Sequence, residues 1–115
     1  MGSLQSLVVP RDTRNIPATA QSVNTGGYVD CRVLAASTAE VQTVPTGAKK
    51  VLITVTGNSF VQFGGAATVP AADVTDGSSP VLIVNAVPRM FACEGVATIG
   101  VISSAVNTVT FEFFK

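Results

Sequence analysis

The amino-acid sequence predicts an all-β fold: a small β-sandwich, jelly-roll or Ig-like, with an extended N-terminal arm. Val and Thr are abundant, whereas Lys, Glu and Arg, which favour helices, are few and scattered along the chain. No segment shows a sustained helical apolar period, so no helix is predicted. Short alternating segments separated by Gly, Pro, Asn and Ser turns are typical of a sandwich or a small barrel.

Alternation of apolar and polar residues predicts most of the strands. The clearest covers 49–56 and is followed by the turn residues Gly57, Asn58 and Ser59, so 49–63 is predicted to be a hairpin. The segment 80–86 is continuously apolar, which predicts a strand buried on both faces. The predicted strands are 28–35, 49–56, 60–63, 80–86, 96–103 and 106–114.

The predicted core consists of apolar residues that share one face of these strands. Two sheets packed face to face would bury such stripes, and each buried Val, Ile or Phe contributes roughly 1.5–3 kcal/mol. This gain offsets the chain entropy only narrowly, so contacts with partners would help. The residues predicted to form the core are Val51, Ile53, Val55, Ile99, Val101, Val109, Phe111 and Phe113.

Residues 1–27 are predicted to form an extended arm, which leaves 28–115 as the β-sandwich domain. The arm contains Pro10, Pro17, many small polar residues and the pair Gly26-Gly27. A frayed terminus without a role is the alternative. In a free arm the apolar cluster Leu7-Val8-Val9 would be exposed to water, which favours an arm ordered against neighbouring proteins. The arm residues expected to bind partners are Leu4, Leu7, Val8, Val9, Arg11, Arg14 and Ile16.

The chain carries little charge. Charged residues make up 12% of it, and seven basic residues balance seven acidic ones. An average soluble domain has about 25% charged residues, so this surface suits a chain that hides much of its exterior in an assembly. The neutral balance offers no positive field, and neither nucleic acid nor a membrane is expected as a partner. Without a transmembrane run or a signal-peptide pattern, assembly in a cytoplasm is expected.

The composition argues against an enzyme. The absence of histidine removes the usual neutral-pH base and the commonest metal ligand, so no catalytic residue, cofactor or metal is predicted. Gly64-Gly65 lacks the lysine and the helix of a phosphate loop. The lack of Trp leaves a poor stacking platform for sugars or bases. Cys31 and Cys93 are predicted to be small buried hydrophobes, with a disulfide as the alternative.

Asp73 and Asp76 form the only close acidic pair. Such a pair could hold calcium or serve hydrolysis, but Asp76-Gly77 followed by Ser78-Ser79-Pro80 is typical of a turn before a strand. Turn chemistry is therefore the favoured interpretation. The loop residues considered as partner-binding candidates are Asp73, Asp76 and Arg89, and the alternative for Arg89 is a solvated loop charge.

Two motifs and a strand pattern carry a resemblance to a known family. The chain reads FVQFGG at 60–65 and VPAADVTDG at 69–77, and alternating strands at 96–114 end in an aromatic-rich C-terminus. Together these features, over about residues 41–115, resemble small structural proteins that tailed bacteriophages encode near their capsid genes. The resemblance implies a virion component and brings no catalytic residues with it.

We therefore expect a non-enzymatic virion structural protein, a capsid decoration (cement) protein that stabilises the outer capsid surface through its sandwich and arm. The expected partners are the major capsid protein or other virion proteins, and further copies of the chain in a homo-oligomer such as a trimer. The expected location is the capsid surface, after assembly in the host cytoplasm. The alternatives are a neck, tail or head-fibre attachment component, and a carbohydrate- or receptor-binding β-sandwich.

Overall fold

The structure, a computed structural model, describes Leu4 and residues 28–85 and 87–115. These ranges contain no helix, and so none that could span a membrane. Alternating Val, Ile, Thr and Phe form the strands, and Gly, Pro, Asn and Ser form the turns between them. The strands are β1 Tyr28–Leu34, β2 Glu40–Thr43, β3 Lys50–Val55, β4 Ser59–Phe63, β5 Val81–Ile83, β6 Arg89–Ala92, β7 Thr98–Ile102 and β8 Asn107–Phe114.

The strands form two four-stranded antiparallel sheets. The first sheet has the order β1-β8-β3-β6 and the second has the order β2-β7-β4-β5. Strands therefore pair first with last, second with seventh, third with sixth and fourth with fifth, as if the chain were folded in half at 64–80 and rolled up. This order is that of a jelly roll, so the predicted β-sandwich is confirmed and the Ig-like alternative is set aside.

The predicted hairpin at 49–63 is wrong. β3 lies in the first sheet between β8 and β6, whereas β4 lies in the second sheet between β7 and β5. The turn after β3 thus carries the chain across the core from one sheet to the other. Alternation identifies a strand but not its neighbour, and here the hydrogen-bonding partners come from distant parts of the chain.

The segment 80–86 was expected to be buried on both faces, and it is not. Of its described residues, 80–85, only Val81–Ile83 form a strand, and Leu82 and Val84 are exposed while Ile83 is fully buried. β5 belongs to one of two sheets that pack face to face, so one of its faces meets the core and the other meets solvent.

The core lies between the two sheets and contains every predicted core residue. All eight are at most 5% exposed. The rings of Phe111 and Phe113 stack along β8 with centroids 6.3 Å apart, and Tyr28 meets Phe113 edge-on at 5.9 Å. Further buried apolar residues complete the layer: Leu34, Ala48, Val61, Ile83 and Cys93.

One end of the sandwich is closed by hydrogen bonds between three inter-sheet turns, which follow β3, β5 and β7. The Ser103 hydroxyl and the Asn107 amide both donate to the Asn58 carbonyl, at 3.1 and 3.2 Å, and Asn107 also donates to Ser103 Oγ. The backbone N–H of Asn85 donates to Asn58 Oδ1 at 2.8 Å. Buried polar groups at this end are therefore satisfied within the chain.

The connection from β4 to β5 packs over the outer face of the second sheet at Gly100. This residue pairs with Val41 on β2 and with Gln62 on β4. A Cβ atom on Gly100 would collide with the carbonyl oxygen of Gly65 and lie 2.7 Å from the Ala67 nitrogen. Gly100 is thus required because the backbone of the connection approaches the strand too closely for any side chain.

We predict that Gly100→Ala lowers the free energy of unfolding by about 1–3 kcal/mol, because the connection must move away from β7. Chemical denaturation measures this loss. The matched control is Gly65→Ala, which adds a methyl group to the same contact, where the nearest heavy atom is 4.0 Å away. Equal stability of the two variants would contradict the close approach.

Candidate functional site

The described residues offer exposed strand edges, exposed apolar side chains and a polar network. The chain has no histidine, and the described ranges hold no cluster of three or more His, Cys, Asp or Glu side chains that could bind a metal. The candidate contact surfaces described below are built from these edges, apolar side chains and polar groups.

Leu4 lies against the body of its own chain. It is partly buried and packs on the core cluster, and its Cδ1 lies 3.8 Å from the position that a Cβ on Gly47 would take. Gly47 lies just before β3, whose first residue pairs with the last residue of β8, and Tyr28 pairs with Phe113 at that same end. Leu4 and the start of β1 are therefore at one end of the sandwich. The other predicted arm anchors lie outside the described residues: Leu7, Val8, Val9, Arg11, Arg14 and Ile16.

Asp76 forms the turn that its sequence indicates. Its Oδ1 accepts hydrogen bonds from the Ser78 hydroxyl at 2.6 Å and from the Ser78 backbone N–H at 3.1 Å, and Gly77 between them has a φ of 85°. These bonds from Ser78 hold the pKa of the Asp76 carboxyl below its usual value. Asp73 lies exposed in the same connection, at 64–80.

Arg89 is a strand residue, which corrects its expected place in a loop. It begins β6, an edge strand, and its guanidinium lies 4.9 Å from the centroid of the Phe91 ring. Its Nη1 also donates to the Leu82 carbonyl on β5 at 3.4 Å. Within the described ranges no ion pair joins Arg89 to Asp73 or Asp76. Arg89 thus spans one open side of the sandwich, between the edges β5 and β6.

The opposite open side carries a polar network that the sequence did not reveal. Arg32 on β1 donates from Nε to Gln42 Oε1 at 2.8 Å and from Nη1 to Glu40 Oε1 at 3.0 Å. Gln42 Nε2 donates to Asp30 Oδ2 at 2.6 Å and to the Thr43 carbonyl at 3.0 Å. Four side chains from two sheets are therefore joined across the gap between β1 and β2.

Gln42 is the centre of this network. Its side chain is almost fully buried. The side-chain amide accepts a hydrogen bond from the Arg32 guanidinium and donates one to the Asp30 carboxylate, and both of these partners are charged. An open groove of about 440 Å³ runs along the two edges and is lined by residues of both strands, including Cys31 and Val33. The sequence does carry one sign of this network, since polar residues recur at every second position in β1 and again in β2. This alternation does not show that the two strands face each other across the sandwich.

The two cysteines have different environments. Cys93 is fully buried, as predicted, and burial raises the pKa of its thiol. Cys31 is exposed, which contradicts its predicted burial, and the two thiols are not bonded. The register of β1 explains this, because Tyr28 and Leu34 face the core and leave odd-numbered residues on the outside.

Exposed large apolar side chains occur on several elements, including Val41 on β2 and Val69 and Val74 in the connection from β4 to β5. On the outer face of β1, Val29 and Val33 are 52% and 68% exposed, and Val106, in the turn before β8, is 70% exposed. Along β5, β6 and the turn between them, the exposed residues are Leu82, Val84, Val87 and Met90. Grouped apolar residues at a surface indicate contact with a partner more strongly than single ones do.

We predict that Gln42→Leu lowers the free energy of unfolding by about 1–3 kcal/mol, because Asp30 and Arg32 lose their shared partner. Thermal or chemical denaturation measures the loss. Thr43→Ala, at the exposed neighbouring position, is the control and should stay within about 0.5 kcal/mol of wild type. A Gln42→Leu variant as stable as wild type would show that apolar packing can replace the network.

Comparison with known proteins assigns the chain neither a family nor a function. No protein-family model, curated protein or solved structure matches it. The jelly-roll architecture is therefore established by strand pairing in this chain alone, and the function has to be argued from its surfaces, since one fold serves many functions.

Proposed function

We propose that the chain is a non-enzymatic structural protein of a tailed-phage virion, a decoration (cement) protein that binds the outside of the capsid. Its partners in this proposal are the major capsid protein or other virion proteins, together with further copies of the chain. The jelly roll would rest on the shell, and residues 1–27 would contact neighbouring subunits. Jelly rolls are widely used in viral capsid domains, which supports the proposal by analogy.

The observation that carries the proposal is the near absence of charge on both outer sheet faces. Side chains alternate along each strand, so the residues between the core positions form these faces. In the first sheet only Lys50 and Glu112 among them are charged, and in the second sheet none is. Contact surfaces are depleted of charged residues relative to the rest of a protein surface, so the outer face of the first sheet, and the part of the second that the connection at 64–80 leaves uncovered, suit protein contact.

The carbohydrate-binding alternative has less support. The polar groove between β1 and β2 is the natural place for a sugar, but Arg32, Gln42, Glu40 and Asp30 already bond one another there. None of the residues that line it is aromatic. Sugar sites usually include an aromatic platform, which this groove does not offer.

The neck, tail or head-fibre alternative differs in position and copy number rather than in chemistry. A decoration protein covers the shell and is present in hundreds of copies, on the order of the number of coat subunits, whereas a connector is present in about a dozen or fewer. Quantitative mass spectrometry and electron microscopy of intact particles distinguish the two. We predict shell-wide density at high copy number, and a particle without the chain would contradict any virion role.

We predict that a chain lacking residues 1–27 remains folded but binds particles at least about tenfold more weakly, a loss of about 1.4 kcal/mol or more. Binding to particles purified without the chain measures this effect. Because Leu4 contacts the sandwich, Leu4→Ala is the control that separates loss of this internal contact from loss of the arm. A truncated chain that occupies its sites with unchanged affinity would overturn the role of the arm.

A further inference from the structure

Within residues 28–85 and 87–115, one edge of β1 has no strand paired to it. Among the described residues β1 pairs only with β8, and the groove that runs along its other side is open. An unpaired edge presents a row of N–H and C=O groups that can bind another strand. The question is which strand this edge fits.

The hydrogen bonds of β8 identify the groups at the free edge. The N–H of Thr56 donates to the Thr108 carbonyl, so even-numbered residues of β8 direct their backbone groups towards β3. Odd-numbered residues of β8 therefore point towards β1, where Arg32 pairs with Val109 and Asp30 with Phe111. The backbone groups of Val29, Cys31 and Val33 consequently point away from β8, into the free edge.

The sequence around Cys31 is self-complementary. It reads Val29-Asp30-Cys31-Arg32-Val33, in which a Val stands at each end and an acid and a base flank the central thiol. We infer that β1 pairs antiparallel with β1 of a second copy, about a twofold axis through Cys31. Cys31 then lies opposite Cys31 of the second copy, and Val29 lies opposite its Val33. The pairing joins the two first sheets into one continuous sheet.

The backbone geometry fits this pairing. The three residues whose polar groups point outwards are the three that the twofold axis places in hydrogen-bonded positions, which gives about six inter-chain hydrogen bonds, two for each pair. Exposed valines then contact each other across the two strands on the outer face. The interface is isologous and closes on itself, so it makes a dimer and not a fibre.

The charge order makes the edge selective. On the inner side of the strand, Asp30 lies opposite Arg32 of the second copy, and Arg32 lies opposite its Asp30. A parallel or shifted strand would instead place like charges or an unmatched charge in these positions. Asp30 and Arg32 therefore disfavour foreign strands and accept a copy of the same strand. This dimer does not depend on the proposed virion function, because it is a property of the free chain.

The first experiment measures the mass of the full chain by light scattering at high micromolar concentration. We expect a dimer for the wild type and a monomer for the double variant Val29→Lys, Val33→Lys, which places lysines opposite each other. Val106→Lys is the matched control, since Val106 is as exposed as Val33, at 70% and 68%, and lies outside β1. A monomeric or trimeric wild type, or a dimer that survives the double variant, would overturn the pairing.

The second experiment uses the thiols as reporters. A short bismaleimide should cross-link two copies through Cys31, which is exposed, and leave Cys93, which is buried. We expect cross-linked dimer from the wild type and from Cys93→Ala, and none from Cys31→Ser. The double lysine variant keeps Cys31 exposed, so its cross-linking should fall at least tenfold. Equal cross-linking in that variant would mean random collision and would refute the pairing.

Discussion

The register of β8 is the constraint on which the rest of the structure depends. β8 lies between β1 and β3, and its side chains Val109, Phe111 and Phe113 fill the core. The register with β8 decides which side chains of β1 and β3 face the core, because side chains alternate along a strand and paired residues point to the same face. β3 therefore buries Val51, Ile53 and Val55. β1 turns Asp30 and Arg32 towards the second sheet and leaves Cys31 outside. A shift of one residue would bury the valines and the thiol of β1 and expose its charges.

The two sheets leave the sandwich open along two sides, one between the edges of β1 and β2 and one between the edges of β5 and β6. An arginine spans each of these sides. Arg32 joins β1 to β2 through Gln42 and Glu40, and Arg89 covers Phe91 and bonds to the edge of β5. Both guanidinium groups lie where they can keep contact with water, so the cost of removing their charge from solvent is limited. Inward-pointing charge also discourages indiscriminate pairing of edge strands. The two arginines thus protect the edges of a chain whose faces carry little charge.

The sequence predicts the interior better than the edges. β3, β7 and β8 were predicted because their apolar residues alternate over several positions, and every predicted core residue is buried. β2 and β6 were missed because each has four residues and the alternation is too short to recognise. The Arg32 network was missed for another reason: its members come from two sheets, and only the roll of the chain brings them together. Gly100 likewise acquires its role from a loop that lies far from it in the sequence.

The position of β1 connects the arm to the free edge. Residues 1–27 lead directly into Tyr28, the first residue of β1, and Leu4 already contacts the sandwich at that end. In a twofold pair the two strands run in opposite directions, so their first residues stand about 20 Å apart, at about 3.4 Å for each residue. The two arms would leave the dimer from opposite ends of the paired strands and meet different neighbours. In the proposed virion role, one dimer would bridge two positions on the shell, and two weak arm contacts acting together would bind much more tightly than either alone.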